Sequence, residues 1–479
     1  MRAFTKTILL VAAVLTLLFA VTACNRDDTP APAPPAATPA PPAGGDTAAA
    51  TPTPVVPDTP APAHDGPPRV IRFTSWFEHG GHFGIFDETP DPATSNDFEI
   101  DMMQYENMLR VMEQFNVEFQ VVSVGDYEAF GDAFLAGQFA NDPIGDIVWL
   151  ASSMMHGPIM AGQLVDFNTL RPAGSDLHGA RNYIRPTVEV GGGMWAIRNN
   201  SPNAQAFFLG FNNVLGERIG IADPVALYEA GNWTWDAFLS MARAAGAAGY
   251  HGASGWIRDF AQGFITANDG MISTPDFQYG LDHPNTMEAL EFIATLFEEN
   301  LYWNDPEAED SGMWDWWALS TAFANGDVLF FAIEHWHRGM VDTQMDFRAL
   351  PFPRGPNGRS GFTTTGGYEV GWVIPQGVED PQFVLEVIEA LLSWPGDDLW
   401  ILQEGVRAHY RPSFMTEGCL ERNIRIANEQ LRFDPGFPAG IADRPADIMI
   451  AVFNGTETVA SAVEYWRGPS QEALDNAFR

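Results

Sequence analysis

Lysine is almost missing from this sequence. Of 479 residues only Lys6 is a lysine, and 62 acidic side chains face 25 basic ones, a net charge of −37 at pH 7. A chain this negative lacks the Lys/Arg clusters that neutralise phosphates, which excludes nucleic acid as a partner. It also argues weakly against polyanionic ligands. Cysteine is scarce too, with only Cys24 and Cys419. Outside the cell a lone Cys419 makes no intrachain disulfide, so the fold must be held by its core. After the apolar run from Ile8 to Phe19, no second run reaches the roughly 20 residues of a spanning helix. Catalytic signatures are missing as well: there is no G-x-S-x-G elbow, no H-E-x-x-H and no phosphate loop. With 62 acidic residues, carboxylate pairs arise by chance and are no sign of a glycosidase. The expectation is a protein that is not an enzyme and needs no cofactor.

What is present begins with an address. Arg2 and Lys6 form a positive n-region, Ile8 to Phe19 an apolar centre, and small residues then lead to Cys24. Residues 1–23 read as a signal peptide. Val21-Thr22-Ala23-Cys24 resembles the bacterial lipobox, whose cysteine is acylated and becomes the first residue of the mature chain. That implies an extracytoplasmic protein held by lipid on the outer face of the cell membrane. Without the leader, 23 basic residues face 62 acidic ones, a net −39. Residues 24–68 follow as a tether. "TPAPAPPAATPAPPAGG" and "TPTPVVPDTPAPA" contain almost nothing to bury, so they form no core. Such a stretch favours extended polyproline II at roughly 3 Å per residue, a reach on the order of 100 Å.

From Arg69 the hydrophobic period alternates between two and 3.6. "RVIRFTSW", "VEFQVVSV" and "DIVWL" read as strands. "EIDMMQYENMLRVMEQFN" and "DYEAFGDAFLAGQF" read as helices between them, the second placing Tyr127, Phe130 and Phe134 on one face. This β-α-β-α-β opening predicts a parallel sheet covered on both sides. Further along, Thr234 is placed to cap "WDAFLSMARAAGAAG", Leu290, Ile293, Ala294 and Phe297 give one amphipathic face, and Pro381 opens another helix. "DVLFFAIEHW" and "GYEVGWVIP" read as strands, and the chain from about Asp447 as mostly helical. The length after the tether suits two or three domains rather than one.

Several segments, in order, are similar to those of family 1 bacterial extracellular solute-binding proteins, the maltose-binding-protein-like sugar receptors of ABC transporters. They are "AFLAGQFANDPIGDIVWLAS", "MAGQLVDFNTL", "NWTWDAFLSMARA", "AFANGDVLFFAIEHW", "ALPFPRGPNG", "GGYEVGWVIPQGVEDPQFVLEVIEALLS" and "GPSQEALDNAF". The resemblance runs from about 69 to 479. It departs from the family pattern at 77–98, a longer, Gly/Pro-rich loop. What the resemblance implies is an α/β, two-lobe periplasmic-binding-protein-like fold of type II, with parallel-type sheets, helices on both faces and a ligand cleft between the lobes. The first lobe would take 69–200 plus 368–412 and the second 201–367 plus 413–479. A captured solute would pass to ABC permease subunits in the membrane, and the binding protein would act as a monomer.

The candidate ligand residues follow from both arguments. "GMWDWWALSTAFANGDVLFFAIEHWHRG", residues 312–339, holds four tryptophans. On a helix from Met313, Trp316, Leu319 and Phe323 share a core face, while Trp314 and Trp317 lie elsewhere near its start, open to packing or stacking. Trp336 follows a strand at the position where the resembled family presents an aromatic to sugar. Trp76 and Glu78 end the first strand, and strand ends in open α/β sheets face the crevice. Ser152 and Ser153 follow "DIVWL" and either donate to hydroxyls or cap the next helix. Trp195 and Asn199 lie on the first crossover, and Gly366 and Gly367 on the second allow close backbone approach. Trp256, Arg258 and Tyr410 complete the set. Flat aromatic rings suit pyranose faces, so a sugar or oligosaccharide is expected. Two alternatives stand beside this reading. One is a sensor component that presents its solute to a signalling partner. The other is a metal protein using Glu78, His79 and His82 with Glu334, His335 and His337, although the expectation is no metal.

Overall fold

The computed structural model describes residues 66–76, 84–95, 97–170, 184–190, 192–199, 206–307, 312–333, 345–359, 362–365, 370–396, 399–429, 431–432 and 439–478. All belong to one compact unit, Pro54–Arg479. Among them no helix is long and apolar enough to cross a membrane.

The chain opens with β1 (Arg69–Ser75), α1 (Phe98–Phe115), β2 (Val117–Ser123), α2 (Tyr127–Ala140), β3 (Ile147–Ala151) and α3 (Ser152–Met160), then β4 (Ile184–Val190) and β5 (Gly193–Asn199). A second group follows: β6 (Phe208–Asn212), α4 (Trp235–Ala247), β7 (His251–Gly255), α5 (Ile257–Ala267), α6 (Pro284–Glu298), α7 (Trp316–Asn325), β8 (Val328–Ile333) and β9 (Phe347–Leu350). The chain ends with β10 (Thr364–Thr365), β11 (Val370–Val373), α8 (Pro381–Leu392), α9 (Leu399–Tyr410), α10 (Glu417–Glu429), β12 (Leu431–Arg432), α11 (Arg444–Phe453) and α12 (Val459–Phe478).

Helix boundaries follow local chemistry. Asp97 accepts from Ile100 N to start α1, and Asn116 ends it with a left-handed φ of 50°. Asp126 caps α2 by accepting from Ala129 N at 2.9 Å. Thr234 caps α4 through Ala237 N, and Pro381 occupies the first turn of α8, where no amide proton is needed.

The first sheet has the order β2-β1-β3-β11-β5-β4. Its first three strands are parallel, as the β-α-β-α-β opening requires. The next three join antiparallel, because β11 and β5 arrive without a crossover helix of their own. The period of two decides the packing. Ile147 and Trp149 point into one core with α1 and α8, while Val148 and Leu150 point into the other with Phe130, Phe134 and Met155. The second sheet, β7-β8-β6-β9, is sealed in the same way. Phe207, Leu209 and Phe211 face α4, α5 and α6, and Ala206 and Phe208 face α7 and α10. Every residue of α5 is buried, so this helix is the centre of the larger core.

Two segments that carry the chain between the sheets run side by side. Phe207 N donates to Thr365 O at 2.7 Å, and Thr364 Oγ1 donates to Phe207 O at 2.5 Å. β12 pairs with β10 alongside them. A third connection is α9, whose Leu402 packs with the first sheet's core and whose Tyr410 packs against the second sheet's.

Two outcomes follow. Gly255, at the end of β7, has φ +137°, and a Cβ there would stand 2.9 Å from Ala332 N. Gly255→Ala should therefore cost about 1–3 kcal/mol, read by urea denaturation; a change below about 0.5 kcal/mol would contradict that geometry. Cys419 is 1% exposed, and burial pushes its thiol up to about 11. With Cys24→Ser, a disulfide reagent at pH 8 should therefore modify Cys419 only as fast as the protein unfolds. Rapid modification under native conditions would contradict its placement.

Candidate functional site

Ligands of open α/β sheets bind beyond the carboxyl ends of strands, where the strand order reverses. In the first sheet that point lies between β1 and β3. Three side chains converge there. β1 ends at the buried Ser75, whose carbonyl accepts from Val124 N at 3.0 Å, and the partly buried Trp76 comes next. The Trp76 ring meets Tyr127 edge-on at 5.2 Å and Phe130 at 5.3 Å. Tyr127, the first residue of α2, shares a hydrogen bond of 2.9 Å between its hydroxyl and Ser153 Oγ. The result is an aromatic pair with two hydroxyls beside it.

Ser152 and Ser153 do not cap α3. Ala151 stands at the cap position without a side-chain bond, Ser152 is buried, and Ser153 is exposed beside Tyr127. Trp195, partly buried, packs against the same core as Trp76. Asn199 closes β5, and its Oδ1 is buried without a hydrogen-bond partner among the described residues.

The second sheet is built alike. β7 and β8 are parallel, so their carboxyl ends lie on one edge. Tyr302 Oη donates to Gly255 O and fixes the end of β7, and Trp256 follows directly at the entry to α5. Its indole Nε1 donates to Trp314 O at 2.8 Å. Trp314 and Trp316 stand edge-on to the same ring at 5.9 and 6.0 Å. Trp316 is 5% exposed and belongs to the core with Leu319 and Phe323. The helix starts at Trp316 rather than Met313, because Asp315 accepts from Ala318 N and caps it there. Trp314 therefore precedes the helix and is partly buried, whereas Trp317, 65% exposed, stands apart on its outer side. Tyr410 packs against the core that also receives Trp256.

Behind Trp256 lies a buried charge pair. Arg258 Nε donates to Asp259 Oδ1 at 2.8 Å, and Asp259 is wholly buried. Burial pushes the Asp259 carboxyl above the usual range, with Arg258 beside it pulling the other way.

Glu78, Trp336, Gly366, Gly367 and Cys24 lie outside the described residues, as do His79, His82, Glu334, His335 and His337. Among the described residues no three His, Cys, Asp or Glu side chains cluster to hold a metal. A cavity of about 420 Å³ lies elsewhere, between Arg243, Tyr250, His251, Glu299 and Asn300, and touches none of the candidate residues. Tyr127, which the sequence spacing placed on one face with Phe130 and Phe134, meets the Trp76 ring together with Phe130.

The sequence and the fold have recognisable relatives. Residues 195–393 match the family model described as Bacterial extracellular solute-binding protein. No curated protein sequence matches the chain. The GacH receptor of Streptomyces glaucescens, solved unliganded and with acarbose, is 12% identical, with a TM-score of 0.58 over 86% of this chain and 100% of that one. An ABC transporter solute-binding protein of Thermotoga lettingae bound to α-D-tagatose is 14% identical, with a TM-score of 0.55 over 85% and 100%. UgpB of Mycobacterium tuberculosis in complex with glycerophosphocholine is 18% identical, with a TM-score of 0.56 over 86% and 99%. At these identities the structures speak for the fold, that of type II periplasmic solute-binding proteins. The stretch 195–393 is thus similar to the bacterial extracellular solute-binding proteins, and the chain as a whole shares the fold of type II periplasmic solute-binding proteins.

Proposed function

We propose that this chain captures a carbohydrate and delivers it to an ABC importer, acting as a monomer anchored in the membrane through lipid on Cys24. The observation that carries this reading is the pairing of ring and hydroxyl at the carboxyl edge of a sheet: Trp76 with Tyr127 and Ser153. The second sheet offers Trp256 and Trp314 at its own carboxyl edge. An apolar indole face covers the C–H side of a pyranose, and hydroxyls beside it exchange hydrogen bonds with the sugar's rim. An amino acid, by contrast, would call for a preorganised pair of opposite charges.

The two sheets are the cores of two lobes in this reading, 69–200 plus 368–412 and 201–367 plus 413–479. Rotation would be absorbed near Phe207 and Thr365, and contacts from both sides would favour the closed state. Trp195, Asn199, Ser152 and Tyr410 would line the margins. Trp317 would add an outer platform for a longer sugar, with Glu78, Trp336, Gly366 and Gly367 completing the cleft. Two of the three similar structures hold sugars, acarbose and tagatose, which supports the same class.

Calorimetry and thermal shift on the chain after its signal, with Cys24→Ser, test this against mono- and oligosaccharides and glycerophosphocholine. A sugar present at about 100 times its Kd should stabilise the protein by about 2.7 kcal/mol. Trp76→Ala and Trp256→Ala should each weaken it at least about tenfold, or about 1.4 kcal/mol. Silence toward every sugar, with a melting temperature lowered by chelator, would instead assign the cleft to a metal.

A further inference from the structure

We infer that Arg258 is a positioning residue for the Trp256 ring. The inference rests on the reading of Trp256 as a solute platform, but its structural half stands without it. Four contacts define the arrangement. The Arg258 guanidinium carbon lies over the Trp256 ring, 5.3 Å from its centroid. Its Nε is held by Asp259 Oδ1 at 2.8 Å, and its Nη1 stands 3.8 Å from Asp443 Oδ1 at the start of α11. The ring itself is held at its edge by the bond from Nε1 to Trp314 O. An indole has two degrees of side-chain freedom. The Nε1 bond restrains the ring's position, and a cation held over its face restrains its tilt.

The asymmetry of the pair supports this role. Asp259 is fully buried, whereas Asp443 is 60% exposed, so the buried carboxylate is the firm anchor and Asp443 the loose one. A buried pair is weak evidence for stability, because desolvating both ions offsets their attraction. Arginine combines a flat stacking surface with a fork of donors, which lysine lacks. A cation over an indole is attracted by the ring's negative face. One side chain therefore ties the partly buried ring to the interior of α5.

Fluorine NMR on protein carrying 5-fluorotryptophan tests it, with the Trp256 resonance assigned from Trp256→Phe. Arg258→Lys keeps the charge, Arg258→Met keeps much of the bulk, and Asp259→Asn removes the anchor's charge at constant shape. All three should shift or broaden the Trp256 line and leave those of Trp149 and Trp372, in the first sheet, in place. An unmoved Trp256 line, or equal movement at Trp149 and Trp372, overturns the inference. Titration with maltotriose as the probe adds the functional half: Arg258→Lys should weaken binding about fivefold or more, and equal affinity overturns the role in binding. If the parent protein does not take maltotriose, the choice of sugar fails while the fluorine result still decides the role of Arg258.

Discussion

Helices cover both faces of the central strands of both sheets, and this constraint arranges everything else. A strand whose neighbours above and below are apolar cannot spend a residue on solute along its length. In β3, Ile147 and Trp149 serve one core and Val148 and Leu150 the other, so every side chain is committed. The first positions outside that alternation are those just past the strand ends. Trp76 after β1, Ser152 and Ser153 after β3, and Trp256 after β7 are such positions. Site chemistry gathers at the carboxyl edges because the interior leaves no other place for it.

The same economy governs the buried charges. Arg258 and Asp259 are the second and third residues of a helix buried along its whole length. Desolvating such a pair costs on the order of several kcal/mol per ion, and Asp259 Oδ2 finds no hydrogen-bond partner among the described residues. A core that pursued stability alone would fill this position with an apolar side chain. Its presence beside Trp256 fits a task at that ring rather than in the fold. The acidic surface acts at longer range: it repels anions and keeps the protein from adhering to its neighbours.

Much of the fold was legible from period and capping. The three parallel strands, the Thr234 cap and the Pro381 entry all arise from local chemistry, and local chemistry is what a sequence displays. The antiparallel half of the first sheet was not legible, because β11 reaches β3 from more than 200 residues away and no local signal records that pairing. The four tryptophans of 312–339 divide according to one side chain. Asp315 caps the helix three residues later than the apolar pattern suggested, leaving Trp314 in the preceding turn. Tyr127 shares the face that spacing gave it with Phe130, but its partners Trp76 and Ser153 lie more than 20 residues away on either side, where no local signal reaches. Arg258 was a candidate from the sequence, but its place over the ring two residues away was not legible, since that depends on the turn between strand and helix.

The account's central claim is that aromatic rings at the sheet edges hold a sugar by its C–H face. Saturation-transfer difference NMR, with irradiation confined to aromatic protons of the protein, tests it most directly. The account predicts transfer concentrated on the ring C–H protons of one face of the bound pyranose. A sugar that binds without receiving magnetisation from aromatic protons would contradict it.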